Sequence, residues 1–256
     1  YVVKIEGEDM VNILIADDNI YYAKILMDLI NNSIKDIKII NIAIDGKETL
    51  DKLSNDDNID ICILDLKMPI INGIEVMHKL SNEKQIKYKN SIIVISGESE
   101  MISQIRDNDM VFDFISKMNS MSDIVEKLDK LVKYKEEKKH IRQLKGEIMH
   151  ELQELGYNFS HKGTLYLIDA IYLICTNKIK IEDDLNLKKN VYPTLAQKYN
   201  RPIHCIKSDI IKATDYMDNI CELKKKKEYF SFNDNTKPTV KLVIYTILNK
   251  IYLNKH

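Results

Sequence analysis

Three acidic residues, a serine and a lysine follow short apolar segments in the first half of the chain. Asp17 and Asp18 come directly after the first segment, Asp65 after the third, Ser96 after the fourth and Lys117 just beyond the fifth. Carboxylates brought together repel one another and need a hard divalent cation, and Mg²⁺ accepts oxygen ligands while keeping positions open for phosphate. One carboxylate can then attack phosphorus in line while the cation, the ammonium and the hydroxyl neutralise the other oxygens. These residue types therefore predict phosphoryl transfer to Asp65.

Five apolar segments rich in β-branched residues alternate with helix-length segments and would position these groups. The predicted strands are residues 12–16, 38–43, 60–64, 91–95 and 111–115. Parallel strands need long crossovers and are covered on both faces, so they read as continuous apolar runs of this kind. The pattern predicts an α/β doubly wound five-stranded parallel sheet, in which the carboxyl ends of the strands meet at one crevice. All five polar groups would then lie at that edge.

Each polar group also has an ordinary structural interpretation. A single Asp after a strand is most often a helix cap or a turn former, and an adjacent pair such as Asp17 and Asp18 is typical of a solvated loop. Lys117 by itself would be an ordinary surface residue. The predicted placement of all of them at the same sheet edge nevertheless favours one shared pocket.

With these motifs, residues 11–133 resemble the receiver domain of the two-component response regulators. The matching positions are the acidic pair Asp17 and Asp18, the phosphoacceptor loop 65–73, the hydroxyl residue Ser96, the aromatic residue Phe114 and the lysine Lys117. The resemblance implies an Mg²⁺ site made by Asp17, Asp18, Asp65 and the backbone carbonyl of Lys67. It also implies a histidine kinase or phosphotransferase as the phosphodonor. Phosphorylation would draw Ser96 inward, let Phe114 rotate and promote a homodimer.

One position departs from the receiver pattern. The family usually follows its lysine with a proline in a cis peptide bond, whereas this chain has Met118. A cis bond before a residue other than proline costs about 3 kcal/mol. We therefore expect Lys117 to be positioned less firmly, with an altered rate or lifetime of phosphorylation.

The two halves of the chain differ in charge and in predicted structure. There are 21 basic and 26 acidic residues before Gly146, and 17 and 13 from Gly146 onward, so the net charges are −5 and +4. Beyond residue 115 the strand pattern ends, and segments separated by Gly and Pro predict an all-helical second half. We predict a receiver over 10–133, a charged linker over 134–146 without a packing stripe of its own, and a helical domain over 147–256.

A helix-turn-helix is predicted within the second half. One helix ends near Asn200, a short turn contains Arg201 and Pro202, and a second helix begins at about Ile203. A merely structural helical hairpin fits the same pattern. The span 148–253 also resembles the effector domain of the stage zero sporulation protein A family, the regulators of endospore formation. The matching segments are 154–156, 161–167, 170–171, 191–193 and 237–239, with Ala196 and Lys198.

The resemblance implies DNA binding by the second helix of this motif. The predicted DNA contacts are Arg201, His204, Lys207, Ser208 and Lys212, with the basic run 224–227 as a further phosphate contact. Family arginines that reach bases align with Cys205, Ser208 and Ile211, so we expect an altered operator preference or weaker DNA binding. The alternative is an output domain that binds a protein partner instead of DNA.

Other classes of protein fit the sequence less well. Phosphohydrolases with an aspartate nucleophile usually carry Asp-x-Asp after the first strand, whereas the acids here are adjacent, so we expect no enzyme beyond self-phosphorylation and self-dephosphorylation. The four cysteines lack metal or disulfide spacing and are predicted to be reduced core thiols. The longest apolar stretch, 165–175, is interrupted by Asp169 and too short to cross a bilayer. We therefore expect a cytoplasmic protein without membrane contact.

Overall fold

A computed structural model describes residues 10–97, 99–176, 178–179, 185–231 and 237–253. They divide into two compact units, the first ending at Lys139 and the second beginning at His140. Residues 1–9, which precede the first predicted strand, lie outside the described residues.

The first unit is built on a parallel sheet of five strands. These are β1 (Val11–Ala16), β2 (Ile37–Ala43), β3 (Ile61–Asp65), β4 (Ile92–Ser96) and β5 (Val111–Ser116). Their order across the sheet is β2-β1-β3-β4-β5, and every neighbouring pair is parallel. β3 and β4 are buried along their whole length, because helices cover both faces of the sheet. The predicted doubly wound sheet is confirmed, and each strand boundary lies within one residue of its prediction.

Five helices connect the strands. They are α1 (Ile20–Ser33), α2 (Gly46–Asn55), α3 (Gly73–Lys79), α4 (Asn82–Lys87) and α5 (Ser99–Gln104). α1 and α3 each begin after an asparagine, Asn19 and Asn72, whose side-chain oxygen accepts a hydrogen bond from a backbone N–H of the first turn. Both asparagines lie in loops at the carboxyl ends of strands, so these caps fix the loops that carry the acidic residues.

Two apolar layers cover the sheet, one on each face. Leu26 of α1 packs on one face with Leu128 of a long helix, α6 (Met121–Glu154). Leu53 of α2 and Met77 of α3 pack on the other face. Burial of these side chains contributes the hydrophobic free energy that holds the helices against the strands.

The predicted charged linker, residues 134–146, lies within α6. Leu144 is buried in the core of the second unit, and Ile141 packs against the same core. The expectation that this segment has no packing stripe of its own was therefore wrong for its second half, because apolar residues spaced by three or four lie on one side of a helix. The limits 10–133, 134–146 and 147–256 stay predictions.

All regular elements described in the second unit are helical. After α6 come α7 (Lys162–Cys175), a π-helical turn (Leu187–Val191), α8 (Tyr192–Tyr199), α9 (Ile203–Ile220), α10 (Leu223–Phe230) and α11 (Val240–Leu253). α7 is buried on nearly all sides and lies at the centre of this unit. The predicted all-helical second half is confirmed.

The cysteines and the apolar helices can be compared with their predictions. All four cysteines are free, and Cys62 and Cys175 are buried as predicted. Cys205 and Cys221 are only half-buried, so the prediction of core thiols was wrong for these two. Among the described residues, no helix is long and apolar enough to span a membrane.

A buried carboxylate, Asp169 of α7, organises a polar cluster in the second unit. Lys145 Nζ lies 2.6 Å from Asp169 Oδ1, while Lys198 and the Tyr199 hydroxyl bond to the other carboxylate oxygen. Burial by itself would raise the pKa of Asp169, but the hydrogen bonds from these three groups outweigh it and lower the pKa below its usual value. The charged form of Asp169 therefore stabilises the fold.

Asp169→Asn is expected to destabilise the second unit by about 1 to 3 kcal/mol at pH 7, because its cationic partners lose a charged acceptor. Since the folded pKa is lowered, this stabilisation is present above the ordinary Asp pKa and is lost as pH falls through the folded value. Urea unfolding should show a large difference in stability between Asp169→Asn and wild type at pH 7 and a small difference at pH 3. Asp215→Asn, which removes an exposed ion pair with Lys237, is the control and should change little. An unchanged stability of Asp169→Asn at pH 7 would contradict the expectation.

Candidate functional site

An acidic pocket lies at the carboxyl edge of the sheet. Asp17 directly follows β1, and Asp65 ends the neighbouring strand β3. Both side chains are buried, at 3 % and 4 % exposure, whereas Asp18 is exposed at the mouth of the pocket. Carboxylate oxygens of the three residues lie within 4.8 Å of one another. The structure thus brings together the three acids that the sequence predicted to meet.

Lys117 extends across this pocket from the loop after β5. Its Nζ lies 2.8 Å from Asp17 Oδ2 and 2.7 Å from Asp65 Oδ2, and its backbone N–H donates to the carbonyl of Ser96. Burial alone would lower the pKa of Lys117, but its hydrogen bonds to both carboxylates outweigh burial and raise the pKa. Lys117 is therefore an ammonium fixed between the two buried acids.

Asp65 is buried beside an ammonium and a backbone N–H. Burial raises the pKa of its carboxyl group above the usual value, although Lys117 and the backbone N–H of Lys67, which donates to Oδ1 over 3.2 Å, act in the opposite direction. A partly desolvated carboxylate whose oxygens are oriented by an ammonium and an amide is suited to nucleophilic attack. The cluster can do this chemistry with a group bound at the open side of the pocket.

The loop after Asp65 returns so closely that one position requires glycine. A Cβ on Gly73 would lie 2.5 Å from the carbonyl oxygen of Asp65, and the N–H of Gly73 donates to the carbonyl of Leu66. Because α3 starts at this glycine, its first turn lies directly against the end of β3. The helix thereby fixes the backbone that carries Asp65.

Hydrogen bonds hold the loop after Lys117 in a tight turn. The N–H of Met118 donates to Ser116 Oγ, and the N–H of Ser116 donates to Asn119 Oδ1. Among the described residues there is no cis peptide bond, so the Lys117–Met118 bond is trans. Sequence reasoning missed Ser116 and Asn119, although polar side chains one residue before and two residues after Lys117 are a turn signal.

Tyr22 of α1 is another neighbour of the pocket that sequence reasoning missed. Its ring centroid lies 5.0 Å from Lys117 Nζ. It lies in the first turn of α1, four residues beyond Asp18, and this closeness to the acidic pair is the signal for it in the sequence.

The two predicted switch residues lie on adjacent strands. Ser96 is buried at the carboxyl end of β4, while Phe114 of β5 is only half-buried and packs against the core on the face covered by α2 and α3. Val94 is the register partner of Phe114. Since side chains alternate along a strand, Val94 and Ser96 share one face, and Phe114 lies on that face as well. A movement of Ser96 can therefore affect the packing of Phe114.

The donor set suits Mg²⁺. Three carboxylates supply the hard oxygen ligands that this ion prefers, and one of them, Asp18, faces solvent, from which waters and phosphate could complete the coordination. Asp17, Asp18 and Asp65 are the residues that would hold the ion. The predicted fourth ligand, the backbone carbonyl of Lys67, stays a prediction.

In the second unit, α8 and α9 form the predicted pair of helices. Asn200 adopts a left-handed conformation that ends α8, and Pro202 directly precedes α9, which begins at Ile203 as predicted. Ile206 and Ile210 of α9 are buried in the core, as the packing of a helix-turn-helix requires. Four of the five predicted DNA contacts are exposed at helical spacing on the opposite side of α9, namely His204, Lys207, Ser208 and Lys212.

The fifth predicted contact, Arg201, forms hydrogen bonds to residues of its own unit. One guanidinium nitrogen donates to the Tyr166 hydroxyl over 2.8 Å and to Asp209 Oδ2 over 3.1 Å. Within the basic run 224–227, Lys225 pairs with Glu154 and Lys226 with Asp218. Part of the positive charge near α9 is thus already neutralised by carboxylates of the same chain.

Two protein-family models match successive parts of the chain. The response regulator receiver domain family matches residues 13–129, and the sporulation initiation factor Spo0A C-terminal family matches residues 148–251. A CheY-like receiver from Methanospirillum hungatei JF-1 has a similar structure, with 19 % identity and a TM-score of 0.42 over 50 % of this chain and 98 % of the other. The receiver of AraT from Geobacillus stearothermophilus has 27 % identity and a TM-score of 0.41 over 51 % and 98 %.

Curated relatives match only part of this chain. A protein-glutamate methylesterase/protein-glutamine glutaminase of Desulfotalea psychrophila is 40 % identical over 70 residues, which are 27 % of this chain and 19 % of the relative. The Bacillus subtilis protein of that description is 29 % identical over 111 residues, 42 % of this chain and 29 % of the relative. The chain thus spans less than a third of the length of these two relatives.

The fold and the acidic pocket of the first unit define a two-component response regulator. The two family matches follow one another and together cover most of the chain. The chain belongs to the response regulators that carry a Spo0A-type C-terminal domain.

Proposed function

We propose that phosphorylation of Asp65 in the presence of Mg²⁺ controls this regulator, and that its output is DNA binding through α9. The observation that carries the proposal is the Lys117 ammonium placed between the buried carboxylates of Asp17 and Asp65. An ammonium in that position can pair with the carboxylate before the reaction and with the oxygens of the phosphoryl group formed on Asp65 afterwards.

The chemistry follows from these positions. A carboxylate oxygen of Asp65 attacks the phosphorus of a phosphohistidine or of an acyl phosphate, a new O–P bond forms, and the donor leaves with the electrons of the broken bond. Asp17, Asp18 and Asp65 would hold Mg²⁺, which would supply positive charge to the phosphoryl oxygens. Lys117 and the Lys67 N–H hold the remaining oxygens. The chain acts on itself in this step, and a histidine kinase or phosphotransferase is the donor that we propose.

Phosphorylation would reach the surface through Ser96 and Phe114. The new phosphoryl oxygens are strong acceptors that favour donation from the Ser96 hydroxyl, and Phe114 can then fill the space beside it. This change alters the β4–β5 side of the first unit. We propose that homodimerisation uses this side.

The first test uses acetyl phosphate as a small-molecule donor. With Mg²⁺, intact-protein mass spectrometry should show the addition of one phosphoryl group, and peptide mapping should place it on Asp65. Chelation of Mg²⁺ by EDTA should abolish the addition, because Lys117 alone does not neutralise three carboxylates, which then repel the incoming phosphate. Incorporation that is unaffected by EDTA, or that maps to another residue, would overturn this part of the proposal.

DNA binding should depend on the lysines of the exposed α9 face. Lys207→Gln combined with Lys212→Gln should weaken binding to operator-containing DNA and lower the slope of log affinity against log salt by about 2, since each phosphate contact contributes about 0.9. Fluorescence anisotropy over a salt series measures both quantities. Lys130→Gln combined with Lys133→Gln on exposed positions of α6 changes the net charge equally and serves as the matched control. Equal slopes for the two double variants would contradict a role of α9.

Binding to a protein partner is the second candidate for the output. Ile203 and Ile211 are exposed on α9, at 48 % and 37 %, where an arginine or polar residue would suit DNA better. Arg201 is engaged by Asp209 and Tyr166. The absence of salt-dependent DNA binding by phosphorylated wild-type protein would favour this candidate.

A further inference from the structure

The ammonium of Lys117 needs support from outside its own loop. The next residue, Met118, is 92 % exposed, so its side chain does not cover the lysine. The turn from Ser116 to Asn119 fixes the backbone through two hydrogen bonds, and neither of them involves the Lys117 ammonium. Asp17 and Asp65 hold Nζ by hydrogen bonds, so any further restraint on this side chain must also come from another element.

Tyr22 is placed to provide that support. Its ring lies 5.0 Å from Lys117 Nζ, and it packs on the apolar layer that contains Leu26. An ammonium within about 6 Å of an aromatic centroid is attracted by the ring, and more strongly where water is excluded. Together with Asp17 and Asp65, the ring surrounds Nζ with two carboxylates and an aromatic face.

The hydroxyl group of Tyr22 is not needed for the contact between its ring and Lys117. It is buried and has no hydrogen-bond partner among the described atoms. Burial also raises the pKa of Tyr22, which keeps the phenol neutral. Removal of an unpartnered buried hydroxyl costs no hydrogen bond, so a phenylalanine in this place would keep the useful part of the side chain.

We propose that Tyr22 is a positioning residue for Lys117, whose ring face holds the ammonium at Asp17 and Asp65. This inference rests on the proposed phosphorylation of Asp65. It assigns to a side chain of α1 the task of restraining a lysine whose own loop lacks the proline common in receivers.

The test compares the rates of phosphorylation by acetyl phosphate and Mg²⁺ in four proteins. Tyr22→Leu should react about tenfold more slowly than wild type, the size expected for loss of a partly buried cation–π contact. Tyr22→Phe should stay within about twofold of wild type, because it retains the ring. Tyr21→Leu is the matched control, since Tyr21 is the preceding residue of α1 and is 80 % exposed. Thermal melting confirms that each variant is folded, and Tyr22→Met replaces Tyr22→Leu if the latter is not.

A double-mutant cycle separates positioning from a general packing defect. In a Lys117→Ala background, Tyr22→Leu should slow the reaction by less than about twofold, because the group that it positions is already gone. The affinity for beryllofluoride with Mg²⁺, a mimic of the bound phosphoryl group, should fall in parallel with the rate. Wild-type rates in folded Tyr22→Leu, or equal slowing with and without Lys117, would overturn the inference. Absence of phosphorylation in wild type would instead overturn the proposed function itself.

Discussion

Replacing Asp65 with asparagine is expected to reduce phosphoryl incorporation from acetyl phosphate below detection. An amide is a far weaker nucleophile than a carboxylate, and its oxygen also loses the charge that pairs with Lys117 over 2.7 Å. One of three carboxylates for Mg²⁺ is lost as well. Intact-mass measurements at a fixed time and donor concentration check the result.

Glu75→Gln is the control for this experiment. Glu75 is an exposed carboxylate in the first turn of α3, ten residues beyond Asp65, and its removal changes the net charge equally. We expect it to be phosphorylated like wild type. Incorporation into Asp65→Asn at a rate comparable with Glu75→Gln would show that another residue accepts the phosphoryl group. Phosphorylation of Asp65 would then not control the protein.

Gly163→Ala is expected to have the largest effect on stability. A Cβ at this position of α7 would lie 1.9 Å from the carbonyl oxygen of Asp209 and 2.8 Å from the backbone nitrogen of Ile210. Backbone atoms of α9 cannot rotate away as a flexible side chain can, so α7 and α9 must separate. Overpacking of this kind destabilises by about 3 kcal/mol or more. Thermal and urea unfolding of the full chain should show the second unit melting earlier.

Gly146→Ala is expected to have the opposite effect on stability. A Cβ at Gly146 in α6 would have no atom within 4 Å. Alanine in a helix interior is more favourable than glycine by about 0.5 to 1 kcal/mol, so this variant should be slightly more stable than wild type. Similar unfolding midpoints for Gly163→Ala and Gly146→Ala would mean that α7 and α9 do not pack as closely as described.

The sheet could be predicted from the sequence because each strand is a short apolar run with no helical spacing of polar residues. Burial on both faces demands such runs, and the crossovers between them force parallel neighbours. The same reasoning failed for residues 134–146. There the charged residues dominate the composition, while Ile141 and Leu144 contribute to a core through helical spacing that a count of charges does not reveal.

The site was predicted in part for a related reason. Asp17, Asp65 and Lys117 each follow a strand, so the topology alone brings them to one edge. Tyr22, Ser116 and Asn119 are not marked in this way. Their roles depend on side-chain directions and on loop geometry, which vary among proteins that share the same order of elements.

The sequence by itself determined which residue types are available for phosphoryl chemistry and at which sheet edge they meet, because alternating strands and helices make the strands parallel and bring their carboxyl ends to one edge. Only the tertiary structure decided how these groups are paired. It places the ammonium of Lys117 between two buried acids and against Tyr22, and it occupies Arg201 with Asp209 and Tyr166. Such pairings depend on distances of a few ångströms between residues far apart in the chain, and these distances are set by packing.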